Sequence, residues 1–425
     1  MRKNEKSAYW ALWALCVFFG NTFKMLALRA RYAHVLRRIR RRAKGTPVRV
    51  LFLVNETSKW KCQSLYDAME KSGRYEPVIV VTQADVDWYL PDVVRRKNYD
   101  ATVQFFKERR MHVEDGFDWN TRGLKCLFDF SPDIVFYQQP YRYGETHRPD
   151  FAALEALTCY VPYYVPNYGD IEVDYGMFFH KCLWRYIILD KEWKRLFARK
   201  NHFWSYAGKI VGLGHTMLDN LPYPTDEIPS DGCVIYAPHW SIDHPKNDNF
   251  ENYSTFLWTA KPILEYAKAH QQIKWVFKPH PRLRFTLERT GAWSNEEIEA
   301  YYRDWATIGT VVQGGGYEAL FAASRAMVTD CASFLTEYFS TGRPLVHLIS
   351  PTAKLKPLKP SQKMFRSFYR VTNIDELCPA LDSVVLHGDD PRREERLEVL
   401  RQSGVRSGSA AERILGYLDK VLRCS

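Results

Sequence analysis

Residues 326–348, AMVTDCASFLTEYFSTGRPLVHL, decide the fold class. The run AMVT is apolar and partly β-branched, the residues after it carry apolar groups at helical spacing, Gly342-Arg343-Pro344 stops that helix, and LVHL opens a second apolar run. Strand, helix and strand in so short a span form a βαβ unit, which requires a parallel sheet covered by helices. Upstream, CVIYA (233–237) and KWVF (274–277) have the same strand character, and helical segments fall near 253–270, 296–305, 317–324 and 333–340. The alternation also occurs earlier, with VRVLFLV (48–54), PVIVV (77–81), DIVFY (133–137) and KIV (209–211), and with a helical segment over 62–72 that ends at Gly73. Between the two series, residues 221–232 (LPYPTDEIPSDG) hold three prolines and little apolar periodicity, which marks a linker. The expectation is an α/β chain of two Rossmann-like domains facing a cleft, 46–220 and 221–425, preceded by a basic amphipathic helical tail over 1–45. Ligands of open parallel sheets bind beyond the C-terminal strand ends, so the site is expected there, in the cleft.

The charge is distributed unevenly. Twelve of the 60 basic residues and one of the 49 acidic ones lie in 1–45, so the tail holds the whole net charge of +11 and the other 380 residues are neutral. A neutral body argues against nucleic acid as a partner. The nine cysteines are odd in number and form no CxxC pair, which argues against a disulfide framework or a zinc cluster. Within the tail, residues 8–19 (AYWALWALCVFF) are apolar but fall short of the roughly 20 residues a membrane span needs, and no small-residue cleavage site follows. Farther on, Leu28, Tyr32, Val35, Leu36 and Ile39 share one helical face, with arginines on most of the rest. That pattern predicts a helix lying on an anionic membrane surface, peripheral and on the cytoplasmic face. A single membrane span, a basic helix packed on the protein body and a docking tail for another protein are the alternatives.

Three strand tips in the second half carry polar groups together. The first is Tyr236-Ala-Pro-His239-Trp240-Ser241 and the second is Lys278-Pro-His280-Pro-Arg282. The prolines end the strand and hold the His280 imidazole at the sheet edge, where Lys278 and Arg282 add positive charge. His280 and His239 are therefore the candidate catalytic groups, and a histidine in this setting is expected to titrate near neutrality and to handle a proton or a phosphate oxygen. The third tip runs from Thr329 to Tyr338. There Asp330 is expected to cap a helix whose free amides form an anion site, Ser333 and Thr336 to add hydroxyl donors, and Glu337 to meet a ribose. Lys278 and Arg282 complete the expected donor-binding set. Gly314-Gly315-Gly316 lacks the Lys-Ser/Thr of a phosphate loop and reads as a strand-to-helix turn.

These motifs carry a resemblance. MVTDCASFLTEYFSTGRPLVHL (327–348), with FKPHP and YAPHWS upstream, resembles the CDP-glycerol glycerophosphotransferase family, which includes teichoic acid polymerases. Asp330, Ser333, Glu337, Arg343 and Pro344 match that family's spacing. Cys331 and Ala332 replace its usual Tyr and first Ser, and Glu337 stands for an Asp. The resemblance covers about Cys233 to Leu348 and continues weakly through YVPNYGD (164–170) and GLGHTMLDN (212–220). It implies a GT-B-like fold, a donor such as CDP-glycerol or a similar CDP-alcohol, and attack by an acceptor hydroxyl on the donor's β-phosphate with release of CMP. It also implies a phosphate contact or help with proton transfer for His280, a phosphate contact for Ser333 and a ribose or glycerol contact for Glu337.

The family's His-Gly-Thr motif is absent from the first half. Gln138, Gln139 and Tyr141, with His147 near them, are the residues expected to meet a glycan or lipid-linked acceptor, and the general base stays open. No cofactor is fixed by the sequence, and Mg²⁺ stays open. No compact carboxylate cluster is present, and Mg²⁺ held by diphosphate oxygens would leave little trace in the sequence. Two other readings also stay open: a glycosyltransferase using a nucleotide sugar, and a non-catalytic member of a surface-polysaccharide complex.

Overall fold

The computed structural model describes residues 3–422, apart from 43–44, 84–90, 142, 170–174, 201–207, 225–226, 248–250, 314–315, 404 and 407, and gives backbone alone over 3–21 and at 200. Gly314 and Gly315 of the glycine run, Asp170 of the YVPNYGD stretch and the side chains of residues 8–19 thus lie outside the described residues. The chain divides into two compact units. Unit 1 is Met1–Tyr163, Ile171–Thr216 and Ser409–Ser425, and unit 2 is Tyr164–Asp170 and Met217–Gly408.

Unit 1 begins with helix α1 (Lys3–Arg40), followed by β1 (Val48–Val54), α2 (Gln63–Ser72), β2 (Tyr75–Val81) and β3 (Val113–Asp115). A short antiparallel pair, β4 (Phe117–Asp118) and β5 (Gly123–Leu124), precedes β6 (Ile134–Tyr137), β7 (Leu157–Tyr160), β8 (Arg185–Ile188) and β9 (Ile210–Gly212). Seven strands pair in parallel in the order β3-β2-β1-β6-β7-β8-β9. Gly73 ends α2 at φ 65°, the left-handed cap expected from the sequence.

Unit 2 contains β10 (Cys233–Ala237), α3 (Phe256–Ala269), β11 (Trp275–Phe277), β12 (Gly309–Val311), β13 (Ser324–Thr329), α4 (Ala332–Phe339), β14 (Leu345–Leu348), α5 (Lys359–Arg366) and β15 (Tyr369–Val371). Its six strands are all parallel, in the order β12-β11-β10-β13-β14-β15. Counted within the unit, that is 3-2-1-4-5-6, the doubly wound order, with its topological switch between β10 and β13. Unit 1 follows the same rule with one further strand, its switch falling between β1 and β6. The two Rossmann-like α/β units expected from the sequence are present. Their cores are separate: Phe52, Phe136 and Met69 belong to one, Trp275, Phe277 and Trp305 to the other.

Two expectations change. First, the stripe assigned to a membrane surface is interior. Leu28, Tyr32, Val35 and Ile39 are buried in the unit 1 core, and Leu36 packs against it. The hydroxyl of Tyr32 donates to the Cys182 carbonyl and shares a 2.5 Å hydrogen bond with Thr158 Oγ1. Arg42 makes a two-pronged bond to Asp133, 2.5 Å at each prong, at the root of β6, and Arg38 pairs with Glu155 at 2.6 Å. An apolar stripe reports only that one face is buried, and here the covering surface is protein. Ile39→Ala is therefore expected to cost about 2–5 kcal/mol, seen as a lower Tm in detergent-free buffer. An unchanged Tm would return the stripe to the lipid. No described helix is long and apolar enough to cross a membrane.

Second, the boundary drawn at 221–425 does not hold at its end. The last helix, α6 (Ala410–Leu422), belongs to unit 1, where Ala411, Ile414, Leu418 and Leu422 join the core. Arg40 on α1 donates to the Val421 carbonyl at 2.5 Å, and Arg74 and Tyr75 both bond Asp419.

Candidate functional site

In unit 2, β10 lies between β11 and β13, so the loops leaving these three strands meet at the switch point. The loop after β11 is laid onto the loop after β10 by two backbone bonds, Lys278 N–H to the Tyr236 carbonyl (2.8 Å) and His280 N–H to the Pro238 carbonyl (3.0 Å). This places the His239 and His280 rings 5.2 Å apart, edge to face. The structure thus brings together the two histidines singled out in the sequence.

Their protonation differs from expectation. Burial, reinforced by Arg282 and Lys278, holds His280 down at about 3, and burial with the charges of His280 and Arg282 holds His239 well below its ordinary value. Neither titrates near neutrality. The cations read from the sequence repel an imidazolium here, and burial adds to that effect. The neutral rings have an assignable tautomer: Nδ1 of His239 accepts from the Ser241 backbone N–H (3.2 Å), and Nδ1 of His280 accepts from the Arg282 backbone N–H (3.1 Å). A neutral imidazole that accepts at Nδ1 carries its proton on Nε2. Both rings therefore supply an N–H donor, suited to an anionic oxygen, and neither is a ready base.

Asp330 does not cap α4; the cap position is Cys331. The Asp330 carboxylate is fully buried and turns across the sheet. One oxygen accepts from His239 N–H (2.5 Å), and the other accepts from Thr255 N–H (2.6 Å) and Oγ1 (2.8 Å). Burial raises its pKa to about 6 against those hydrogen bonds. Asp330 is thus a positioning residue that fixes the His239 loop. Thr336, expected to meet phosphate, is buried and donates to Asn167 Oδ1 at 2.7 Å, and Asn167 Nδ2 in turn donates to the Ala332 carbonyl. Glu337 is buried and hydrogen-bonded with the Tyr317 hydroxyl. Lys278 is buried with its Nζ 5.9 Å from the Tyr317 ring, while the exposed Arg282 guanidinium lies 4.0 Å over Trp240. Ser333, half-buried in the first turn of α4, makes no side-chain hydrogen bond among the described residues. The arrangement offers two imidazole donors, a guanidinium and a helix start with a hydroxyl, which together suit a phosphate.

Unit 1 has its own polar group at its switch point. Gln138 and Gln139 follow β6, and Asn55 follows β1. Lys59, which the sequence gave no reason to single out, donates to Gln139 Oε1 (2.7 Å) and pairs with Glu56 (2.8 Å); its ammonium lies 5.6 Å from the Tyr141 ring and 5.5 Å from the Tyr163 ring. Gln138 Oε1 accepts from Lys61 N–H, and the hydroxyls of Tyr141 and Tyr163 meet at 2.7 Å. Two buried amide donors, Asn55 Nδ2 and Gln138 Nε2, have no partner among the described residues. Buried polar groups are normally satisfied, so a pair left open at strand tips is a place for an acceptor-rich ligand. His147 does not join them. It is buried between Thr82 Oγ1 and the Lys125 carbonyl, each at 3.0 Å, and burial holds it down at about 4. Among the described residues no group of three or more His, Cys, Asp or Glu side chains could hold a metal.

No protein-family model matches the sequence, and no curated protein sequence matches it either. Solved structures do match. A UDP-GlcNAc 2-epimerase from Neisseria meningitidis bound to UDP-GlcNAc aligns with TM-score 0.55 at 11% identity, over 88% of this chain and 100% of that one. A variant of the wall teichoic acid polymerase TagF aligns with TM-score 0.53 at 12% identity, over 100% of this chain and 98% of that one. The same variant soaked with CDPG gives 0.52 at 13% identity, over 95% and 97%. At these identities the likeness establishes the two-unit GT-B-type α/β architecture of the chain.

Proposed function

We propose that the chain transfers glycerol phosphate, or a related polyol phosphate, from a CDP-activated donor to a hydroxyl of a cell-surface glycan or teichoic-acid-like acceptor, releasing CMP. The observation that carries this reading is the pair of neutral histidines, His239 and His280, 5.2 Å apart at the switch point, each with its proton on Nε2. Two fixed N–H donors beside Arg282 and the start of α4 stabilise charge growing on phosphoryl oxygens, as preorganised donors do in transferases that act largely by positioning. The acceptor oxygen bonds the β-phosphorus, the bridging oxygen leaves with CMP, and the acceptor's proton is released. The fold shared with TagF, whose structure was soaked with CDPG, supports this donor class. In unit 1, the open amides of Asn55 and Gln138, with Lys59, Gln139 and Tyr141, are read as donors to an oxygen-rich acceptor.

Attachment to the membrane is part of the same reading. With the stripe from Leu28 to Ile39 taken into the core, the apolar run 8–19 and the arginines exposed on α1, among them Arg29, Arg31 and Arg37, are what remain to hold an anionic surface. Such confinement raises the effective concentration of a lipid-linked acceptor.

The test is incubation with CDP-glycerol and acceptor lipid or glycan. CMP release is the expected result, and its absence with every CDP-alcohol tried removes the proposal. The fold is shared with a structure that holds UDP-GlcNAc, so a nucleotide-sugar glycosyltransferase is the second reading. Release of CDP or UDP in place of CMP identifies it.

A further inference from the structure

Unit 2 contains a cavity of about 360 Å³ beyond the tips of β13, β14 and β15, on the side of Asp330 away from the histidine pair's strand β11. Of its lining residues only Asp330 is among the site candidates read from the sequence. The volume lies in the range of small-ligand sites.

Its walls are of two kinds. Tyr168, with Tyr253 4.9 Å and Phe365 5.2 Å from it, supplies aromatic faces. Three exposed cations, Lys356, Arg366 and Arg370, line the opening, and none of them forms an ion pair among the described residues. Among the described residues the one carboxylate of the lining is Asp330, and both its oxygens are occupied by His239 and Thr255. Buried His347 stays neutral at the end of β14, its Nε2 3.2 Å from the Tyr168 hydroxyl and its Nδ1 without a partner among the described residues. Three cations that no ion pair compensates among the described residues, set around an aromatic-walled cavity, favour an anion with an organic body.

We propose that this cavity binds a phosphate ester of a small polyol or sugar, with Arg366, Arg370 and Lys356 on the phosphate and the rings of Tyr168, Tyr253 and Phe365 against the carbon skeleton. Its position links it to the donor cluster, because Tyr253 faces the cavity and also lies 5.8 Å from the His239 ring. Binding needs only the cavity. That the occupant is the phosphate-bearing end of the acceptor rests on the transfer reaction proposed above.

The experiment titrates the full chain with glycerol 3-phosphate, with the diester glycerophosphoglycerol and with glycerol, following heat or tyrosine fluorescence; CDP is titrated separately. Saturable binding of one or both esters but not of glycerol is expected, and the preferred ester tells a terminal phosphate from an internal diester. Arg366→Gln and Arg370→Gln should each weaken ester binding about tenfold or more while leaving CDP affinity unchanged, which also reports that the variants fold. Ester binding unaltered in the double variant, or no saturable binding of either ester, overturns the proposal. Ester binding retained in a protein that does not bind CDP would count against the CDP-donor reading and leave the cavity assignment standing.

Discussion

Lowering the pH from about 8 to about 5 is expected to unfold the protein, because six histidines, five buried and His280 half-buried, are held neutral in the fold. Burial holds His147 at about 4 and His180, His215, His280 and His347 at about 3, and His239 lies well below its ordinary value. Below about 6.5 the unfolded chain takes up protons at these positions and the folded chain does not, so stability falls with falling pH by about 1.4 kcal/mol per unit per histidine. Six such groups sum to a gross loss on the order of 10 kcal/mol by pH 5, as large as the stability of a typical domain. Three carboxyls act in the opposite direction, because burial raises the pKa of Asp330 to about 6 and also raises those of Asp190 and Glu251, so that each adds stability as the pH falls through its raised value; they are three groups against six. Melting temperature measured by circular dichroism at constant ionic strength checks this, and a flat profile between about pH 7.5 and 5.5 would sink it. His180→Phe isolates one contribution. Both ring nitrogens of His180 lack partners among the described residues, and Tyr160, Tyr175, Phe179 and Tyr186 surround the ring. A phenyl ring there should flatten the pH dependence by one proton.

The second large effect concerns His280. If its Nε2–H steadies the phosphoryl oxygens, His280→Ala should lower turnover by about 10²–10³-fold, the usual cost of one preorganised donor. His280→Gln, which keeps an N–H donor near the same place, should recover part of that loss. A general base would not be replaced by an amide, so the glutamine variant separates the two roles. Full activity in the alanine variant would remove His280 from the site, and equal loss in both variants would argue for proton transfer. Because the ring stays neutral far below neutrality, the pH profile of kcat near pH 7 should not bear its titration.

Local pattern carried much of the architecture. VRVLFLV and CVIYA are continuous apolar runs and became the central strands β1 and β10, while 326–348 folds as the strand, helix and strand that its spacing requires. Strands β7 (LTCY) and β8 (RYII) are four residues long with no alternation to mark them, so only their neighbours in the sheet define them. The α1 stripe shows what periodicity omits: it states that a face is covered, and the covering surface comes from residues far away in sequence, among them Thr158 and Cys182. The polar motifs do lie at strand tips, but charge state and aim did not follow from their residue types. Asp330 has the local look of a helix cap, yet its partners are His239 and Thr255, 91 and 75 residues away. The cations beside His280 are visible in the sequence, whereas its burial is a product of the fold. Lys59 and Asn55 sit in no motif, and only the adjacency of β1 and β6 brings them to Gln138 and Gln139.

The assignment of α6 to the first unit bears on how the chain is made. A ribosome delivers all of residues 217–408 before the helix that completes the earlier unit leaves the exit tunnel. The unit begun first is therefore finished last, and its apolar face beside α1 and α2 waits uncovered through the synthesis of a whole second unit. Premature stop codons after residue 408 would leave the second unit intact and the first one open, so such fragments should be recognised by chaperones and proteases through their amino-terminal half.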